Sequence, residues 1–99
     1  MTISTHVLDA QRGRPATGLA VRLESADGTL VSSGHTGDDG RITGWDAQVE
    51  GVYRLVFDTG AIAPFFPEVV LTFHVSDPAE HYHVPLLLSP FAYSTYRGS

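Results

Sequence analysis

The chain has 99 residues, with eleven carboxylates against six basic residues, all of them Arg, and a formal net charge of -5. It contains neither cysteine nor lysine, which removes disulfide frameworks, thiolate nucleophiles, Cys-ligated metals, Schiff bases and a P-loop lysine. Scattered Arg in an acidic background argues against nucleic acid, whose phosphates select clustered cations, and no apolar run approaches the ~20 residues that span a bilayer.

One domain, 1–99, is expected at this length. Area scaling gives about 5,500 Å² of folded surface against about 15,500 Å² unfolded, enough for a modest core. The opening MTISTHVLD has neither a basic n-region nor an apolar h-region, so a cytoplasmic location is expected, with no membrane partner.

Ten Gly and six Pro cut the chain into short segments, and no window of helical length keeps a 3.6 period. All-β is the fold class that follows. Predicted strands run, in chain order, over 3–9, 19–25, 30–35, 41–44, 52–58, 68–75, 81–89 and 92–97. Eight short strands suggest a β-sandwich or barrel. Ala26-Asp27-Gly28 and Asp38-Asp39-Gly40 supply turn chemistry between strand-like runs. The stretch from Thr59 to Pro67 holds Gly60, Pro64 and Pro67, so it is predicted as a loop. Ser89-Pro90 then splits the last two strands into a hairpin.

Period-2 alternation places side chains on faces. Ile3, Thr5 and Val7 share one face of the first strand; Ser4, His6 and Leu8 share the other. In HYHVPLLLS, Tyr82, Val84 and Leu86 point one way, and His81, His83 and Pro85 point the opposite way. Near the end, Tyr93, Thr95 and Arg97 are set against Ser94 and Tyr96.

His6 and His83 therefore sit on strand faces beside apolar or small neighbours. Each is read either as a half-buried His bonded to its surroundings or as a functional group. His81 and His83 form a His-x-His unit with imidazoles about 7 Å apart on one face. That spacing binds zinc or copper only where a third ligand such as His6 or His74 converges; no metal is expected. Arg41, directly after Asp-Asp-Gly, is either a surface partner of Asp38 and Asp39 or a planar donor fork for a carbonyl or anionic group. The chain ends on Tyr96-Arg97-Gly98-Ser99 right after a strand-like run, and this end is expected to be tied down rather than frayed.

STHVLD (4–9), GRPATGLAVRL (13–23), DGRITG (39–44), FFPEVVLTF (65–73) and above all HYHVPLLLSPFAYSTYRGS (81–99) resemble the transthyretin-like family. The terminal YRGS narrows the resemblance to its enzymatic branch, the 5-hydroxyisourate hydrolases. The resemblance implies a sandwich of two four-stranded antiparallel sheets, assembled as a homotetramer whose central channel holds the active sites. It also implies hydrolysis of 5-hydroxyisourate to 2-oxo-4-hydroxy-4-carboxy-5-ureidoimidazoline, without metal or organic cofactor. Carried onto this chain, the implied catalytic residues are His6, Arg41, His83 and Ser99, with His6, Arg41 and Tyr96 binding substrate. Family members usually carry a longer stretch with a short helix where this chain has only TGAIAPFFP, so that helix is not expected. A small-ligand carrier of the same fold is the rival, since fold does not fix function; it has no chemical need for His6, Arg41, His83 or the YRGS end.

Overall fold

The computed structural model describes residues 3–99; Met1 and Thr2, where the single expected domain begins, lie outside the described residues. Every regular element among them is a strand, and no helix is long and apolar enough to cross a membrane. The strands are β1 (Ile3–Asp9), β2 (Arg14–Pro15), β3 (Ala20–Ser25), β4 (Leu30–His35), β5 (Arg41–Trp45), β6 (Gly51–Asp58), β7 (Glu68–Val75), β8 (Tyr82–His83), β9 (Leu86–Leu88) and β10 (Tyr93–Thr95).

One sheet has four strands in the order β4-β3-β6-β7, all antiparallel. The other departs from expectation. It has six strands around β1, and β1 runs parallel to both β8 and β9 while pairing antiparallel with β5 and β2. The expectation of two four-stranded antiparallel sheets is thus corrected to one antiparallel and one mixed sheet.

Proline chemistry explains one of the two extra strands. The predicted strand over 81–89 is interrupted at Pro85, which has no N–H to give to a ladder. Val84 still donates to the Ser4 carbonyl at 3.0 Å, and Thr5 Oγ1 donates to the Val84 carbonyl at 2.6 Å, so both halves stay on the edge of β1. β2 is two residues long and carries no alternation. It forms because Asp9 turns the chain, its Oδ1 accepting the Gln11 and Arg12 amides, and brings Arg14 opposite Asp9.

The predicted hairpin at the chain's end is present, with Tyr93 opposite Leu88 and Thr95 opposite Leu86. Between β6 and β7, residues 59–67 form a loop that begins with one turn, Ala63 donating to the Thr59 carbonyl at 2.9 Å.

Alternation sets the core. Ile3 and Val7 from β1, Leu23 from β3, Leu55 and Phe57 from β6, Val69 and Val75 from β7 and Leu86 and Leu88 from β9 are buried in one cluster between the sheets. Burying each such side chain contributes about 1.5–3 kcal/mol, and the folded surface of 5437 Å² matches the size expected for this mass. The core face of β1 is therefore the Ile3, Thr5, Val7 side. Ser4 and His6 are carried by the same strand to its opposite face.

The turn into β5 depends on Gly40. Its φ is +78°, in the left-handed region that side chains rarely adopt. A Cβ there would also run into the Val7 carbonyl oxygen and Pro15. Gly40 itself accepts the Val7 amide at 2.8 Å, which docks the DGR turn onto β1 and sets Arg41 opposite His6.

Candidate active site

Two strand pairings assemble the site. Antiparallel pairing of β1 with β5 puts His6 opposite Arg41, and parallel pairing of β1 with β8 puts Ser4 opposite His83. The end of the chain folds back over them: Gly98 donates to the His83 carbonyl at 2.8 Å, so the terminal segment is tied down as expected. The result is an open cavity of about 410 Å³ lined by Ser4, Arg41, Thr43, His81, His83, Tyr96, Gly98 and Ser99.

Four of the five site residues expected from sequence, Arg41, His83, Tyr96 and Ser99, line this cavity. His6 does not line it, though its position opposite Arg41 places it alongside. Its Nε2 is buried and has no hydrogen-bond partner among the described residues. A buried ring nitrogen left unpaired costs about 1–3 kcal/mol, so this atom is one that a bound polar group would stabilise.

Arg41 combines both readings open to it. Its Nε lies 3.7 Å from Asp39 Oδ2 in an exposed pair, worth about 0–1 kcal/mol, while the residue also lines the cavity. Asp39 Oδ1 accepts the Arg41 backbone amide at 3.0 Å, which fixes the start of β5.

Burial pushes the His83 imidazole pKa below its ordinary value, and the positive charge of Arg41 pushes it further, followed by His6 and His81. His83 is therefore held in its neutral, basic form. Its Nδ1 lies 2.8 Å from Ser4 Oγ, and His81 Nε2 lies 3.0 Å from the same oxygen. With Nδ1 engaged by Ser4, Nε2 is the nitrogen left for the cavity.

Ser4, Thr43, His81 and Gly98 were not singled out for this site in the sequence. The signal for Ser4 and Thr43 is parity, since each stands two residues from His6 or Arg41 on the same strand face. His81 attracted notice only as half of a metal pair. Among the described residues no cluster of three His, Cys, Asp or Glu converges there, and His74 lies elsewhere, on β7, lining a separate groove. Ser99 shares the cavity, but it is the Ser4 hydroxyl that bonds the His83 ring.

Gly98 is required by close approach. A Cβ at this position would overlap the His83 ring, nearest at Cδ2. The ring cannot simply yield, because Ser4 holds its far side. Gly98→Ala is expected to leave the melting temperature within a few degrees while lowering turnover about tenfold or more, because small displacements of a catalytic group are costly. Thermal denaturation beside steady-state kinetics checks this; unchanged kinetics would remove the contact from the account.

A sequence model of the HIUase/Transthyretin family matches residues 3–98. The chain is 48% identical over 109 residues to the 5-hydroxyisourate hydrolase of Salmonella typhimurium, covering 98% of this chain and 80% of that protein. Its fold superposes on the Klebsiella pneumoniae 5-hydroxyisourate hydrolase with a TM-score of 0.88 and 34% identity, covering all of both chains. Sea bream transthyretin, solved with thyroxine, superposes nearly as well, with a TM-score of 0.87 and 33% identity over 99% of this chain and 95% of that one. A 5-hydroxyisourate hydrolase and a transthyretin thus share this architecture, and by the family match over residues 3–98 and the 48% identity the chain belongs to the HIUase/Transthyretin family.

Proposed function

We infer that this chain hydrolyses 5-hydroxyisourate in urate degradation, to 2-oxo-4-hydroxy-4-carboxy-5-ureidoimidazoline. The observation that carries the inference is the convergence of Arg41, a neutral His83, Tyr96 and Ser99 on one cavity. The hydrolases of Salmonella typhimurium and Klebsiella pneumoniae support it by sequence and fold.

In the proposed reaction a water molecule attacks the lactam carbonyl. His83, through Nε2, removes the water proton as the C–O bond forms, and His6, opposite Arg41 on the neighbouring strand, assists from beside the cavity. Arg41 offers its guanidinium fork to the developing oxyanion. When the tetrahedral intermediate collapses, the C–N bond breaks and the proton taken by His83 passes to the leaving nitrogen, with the Ser99 hydroxyl assisting. Tyr96 borders the cavity and packs against the substrate ring. No metal or organic cofactor enters this scheme.

We further propose a homotetramer. β7 and β10 end their sheets, and a groove of about 370 Å³ lies between β7 and the segment from Thr95 to Arg97. Phe91 and Phe65 are 77% and 66% exposed. Unpaired edges and large exposed aromatics are surface that pairing with another copy would cover. Tyr96 borders both this groove and the candidate site, so assembly would enclose the open cavity.

The test generates 5-hydroxyisourate from urate with urate oxidase and follows its ultraviolet decay with and without the purified chain, beside its mass by sedimentation equilibrium. Accelerated decay by a tetramer is expected. Decay at the spontaneous rate would remove the hydrolase assignment, and saturable thyroxine binding without turnover would restore the carrier.

A further inference from the structure

Ser4 has no part in the reaction as set out above, yet its hydroxyl lies within hydrogen-bond distance of two imidazoles, His83 Nδ1 at 2.8 Å and His81 Nε2 at 3.0 Å. A hydroxyl has one proton to donate, so the two rings cannot both accept from it. Ser4 is also only 5% exposed. Were it to accept from both rings, its own proton would be left unpaired in the interior, which buried groups rarely tolerate. The arrangement that satisfies every atom has Ser4 accepting from one imidazole and donating to the other.

We propose that Ser4 is a positioning residue that couples the tautomer of His83 to the protonation state of His81, an inference that rests on His83 being the base. With His81 neutral, His83 donates from Nδ1–H to Ser4 Oγ, Ser4 donates to His81 Nε2, and His83 Nε2 is free to take the water proton. When His81 gains a proton, its Nε2 becomes a donor. Ser4 then accepts from His81 and turns its hydroxyl proton to His83 Nδ1. His83 keeps one proton, moved by solvent exchange from Nδ1 to Nε2, and loses its basic nitrogen on the cavity side. The pair gains one proton in all, and it resides on His81.

The surroundings suit such a switch. His81 is exposed, so solvent protons reach it, whereas His83 is half-buried. His6 from β1 and Arg41 from β5 face the pair and disfavour a charged His83, and the Tyr96 phenol and the Ser99 carboxylate share its cavity. Glu80 and Arg97 flank His81, with Arg97 Nη2 3.1 Å from Glu80 Oε1 and 3.2 Å from the His81 carbonyl. None of these stands between Ser4 and either ring nitrogen.

His81→Gln separates coupling from simple charge repulsion by sign. If protonation of either ring destroys the base, removing His81 leaves a single inactivating site, and the acid limb of kcat/KM moves to lower pH. If His81 acts only as a like charge, its removal lets His83 protonate more readily, and the limb moves to higher pH.

The experiment records pH–rate profiles for wild type, Ser4→Ala, Ser4→Thr and His81→Gln, with long-range ¹⁵N–¹H spectra of the histidine rings in the full chain. Expected are an acid limb shifted down in His81→Gln and kcat at least tenfold lower at neutral pH in Ser4→Ala, with KM within threefold. Ser4→Thr, which keeps the hydroxyl, should stay within threefold of wild type. The spectra should show His83 as the Nδ1–H tautomer at high pH, passing to Nε2–H as His81 protonates. A limb shifted up or unmoved in His81→Gln overturns the coupling, as does a His83 tautomer indifferent to His81. The spectra decide it even if wild type fails to hydrolyse 5-hydroxyisourate, an outcome that would instead sink the hydrolase assignment.

Discussion

His83→Ala is expected to lower kcat for 5-hydroxyisourate by about 10²–10⁴-fold, the usual worth of a positioned general base, while the fold survives. The imidazole is the only part removed. The interactions that hold this stretch of chain run through its backbone: Ser4 stays opposite residue 83 in the β1–β8 pairing, and Gly98 still donates to the carbonyl at position 83. The ring itself is half-buried, at the wall of a cavity and outside the core cluster, so its loss leaves no core void. His6→Ala is expected to act in the same direction, since the His6 ring stands beside the cavity, opposite Arg41. Steady-state kinetics on enzymatically generated substrate, with a melting curve for each variant, checks both. Wild-type turnover in His83→Ala would show that the base lies elsewhere.

What the sequence revealed and what it hid divide along a physical line. Three strands, β1, β4 and β7, have the bounds read from alternation and punctuation, because each is a continuous run of six to eight residues closed by turn chemistry. Alternation also separates Ile3, Thr5 and Val7 from Ser4 and His6, and packing then decides that the first set faces the core. Pairing partners are another matter. Parity says which way a side chain points and nothing about which strand lies alongside, so the parallel contact of β1 with β8 and β9 was not legible. That contact is what brings Ser4, 79 residues away in sequence, onto the ring of His83. The residues with family motifs, Arg41, His83, Tyr96 and Ser99, were legible through resemblance. Those that position them, Ser4 and Gly98, act through a hydroxyl proton and a missing Cβ, and neither leaves a pattern in a single sequence.

The same contrast explains how a small chain without disulfides supports a polar site. The hydrophobic layer is closed by the inward residues of β1, β3, β6, β7 and β9. The site uses the outward residues of β1, β5 and β8, so its polar groups are not inserted into the core. Burial is therefore partial, enough to hold His83 neutral without burying a charge at great cost. Partial burial also leaves the cavity open, in keeping with the homotetramer proposed above.

Arg41→Gln is expected to give two effects of opposite sign, and their combination identifies the role of the guanidinium. Turnover should fall about 10²–10³-fold, the usual loss when one donor to a developing oxyanion is removed. The acid limb of kcat/KM should move to higher pH. Burial is the largest influence lowering the His83 pKa and remains in the variant; Arg41 is the second and is lost. The limb should therefore rise without returning fully to the ordinary imidazole range. Stability follows by linkage. A folded-state His pKa below its unfolded value means that the unfolded chain binds the proton more readily, so wild type loses stability as the pH falls below about 6.5 toward the folded value. Raising the folded value narrows that window, so Arg41→Gln should lose less of its melting temperature than wild type between neutral and acid pH, despite being the poorer catalyst. Its exposed pair with Asp39 is too weak to mask the trend. Arg41→Lys separates the two roles: it keeps the charge, and with it the position of the limb, but lacks the planar fork, so its rate should fall while its pH profile stays in place. A limb that stays put in Arg41→Gln, in the wild-type and the His81→Gln backgrounds alike, would show that burial alone keeps His83 neutral, leaving Arg41 to the oxyanion.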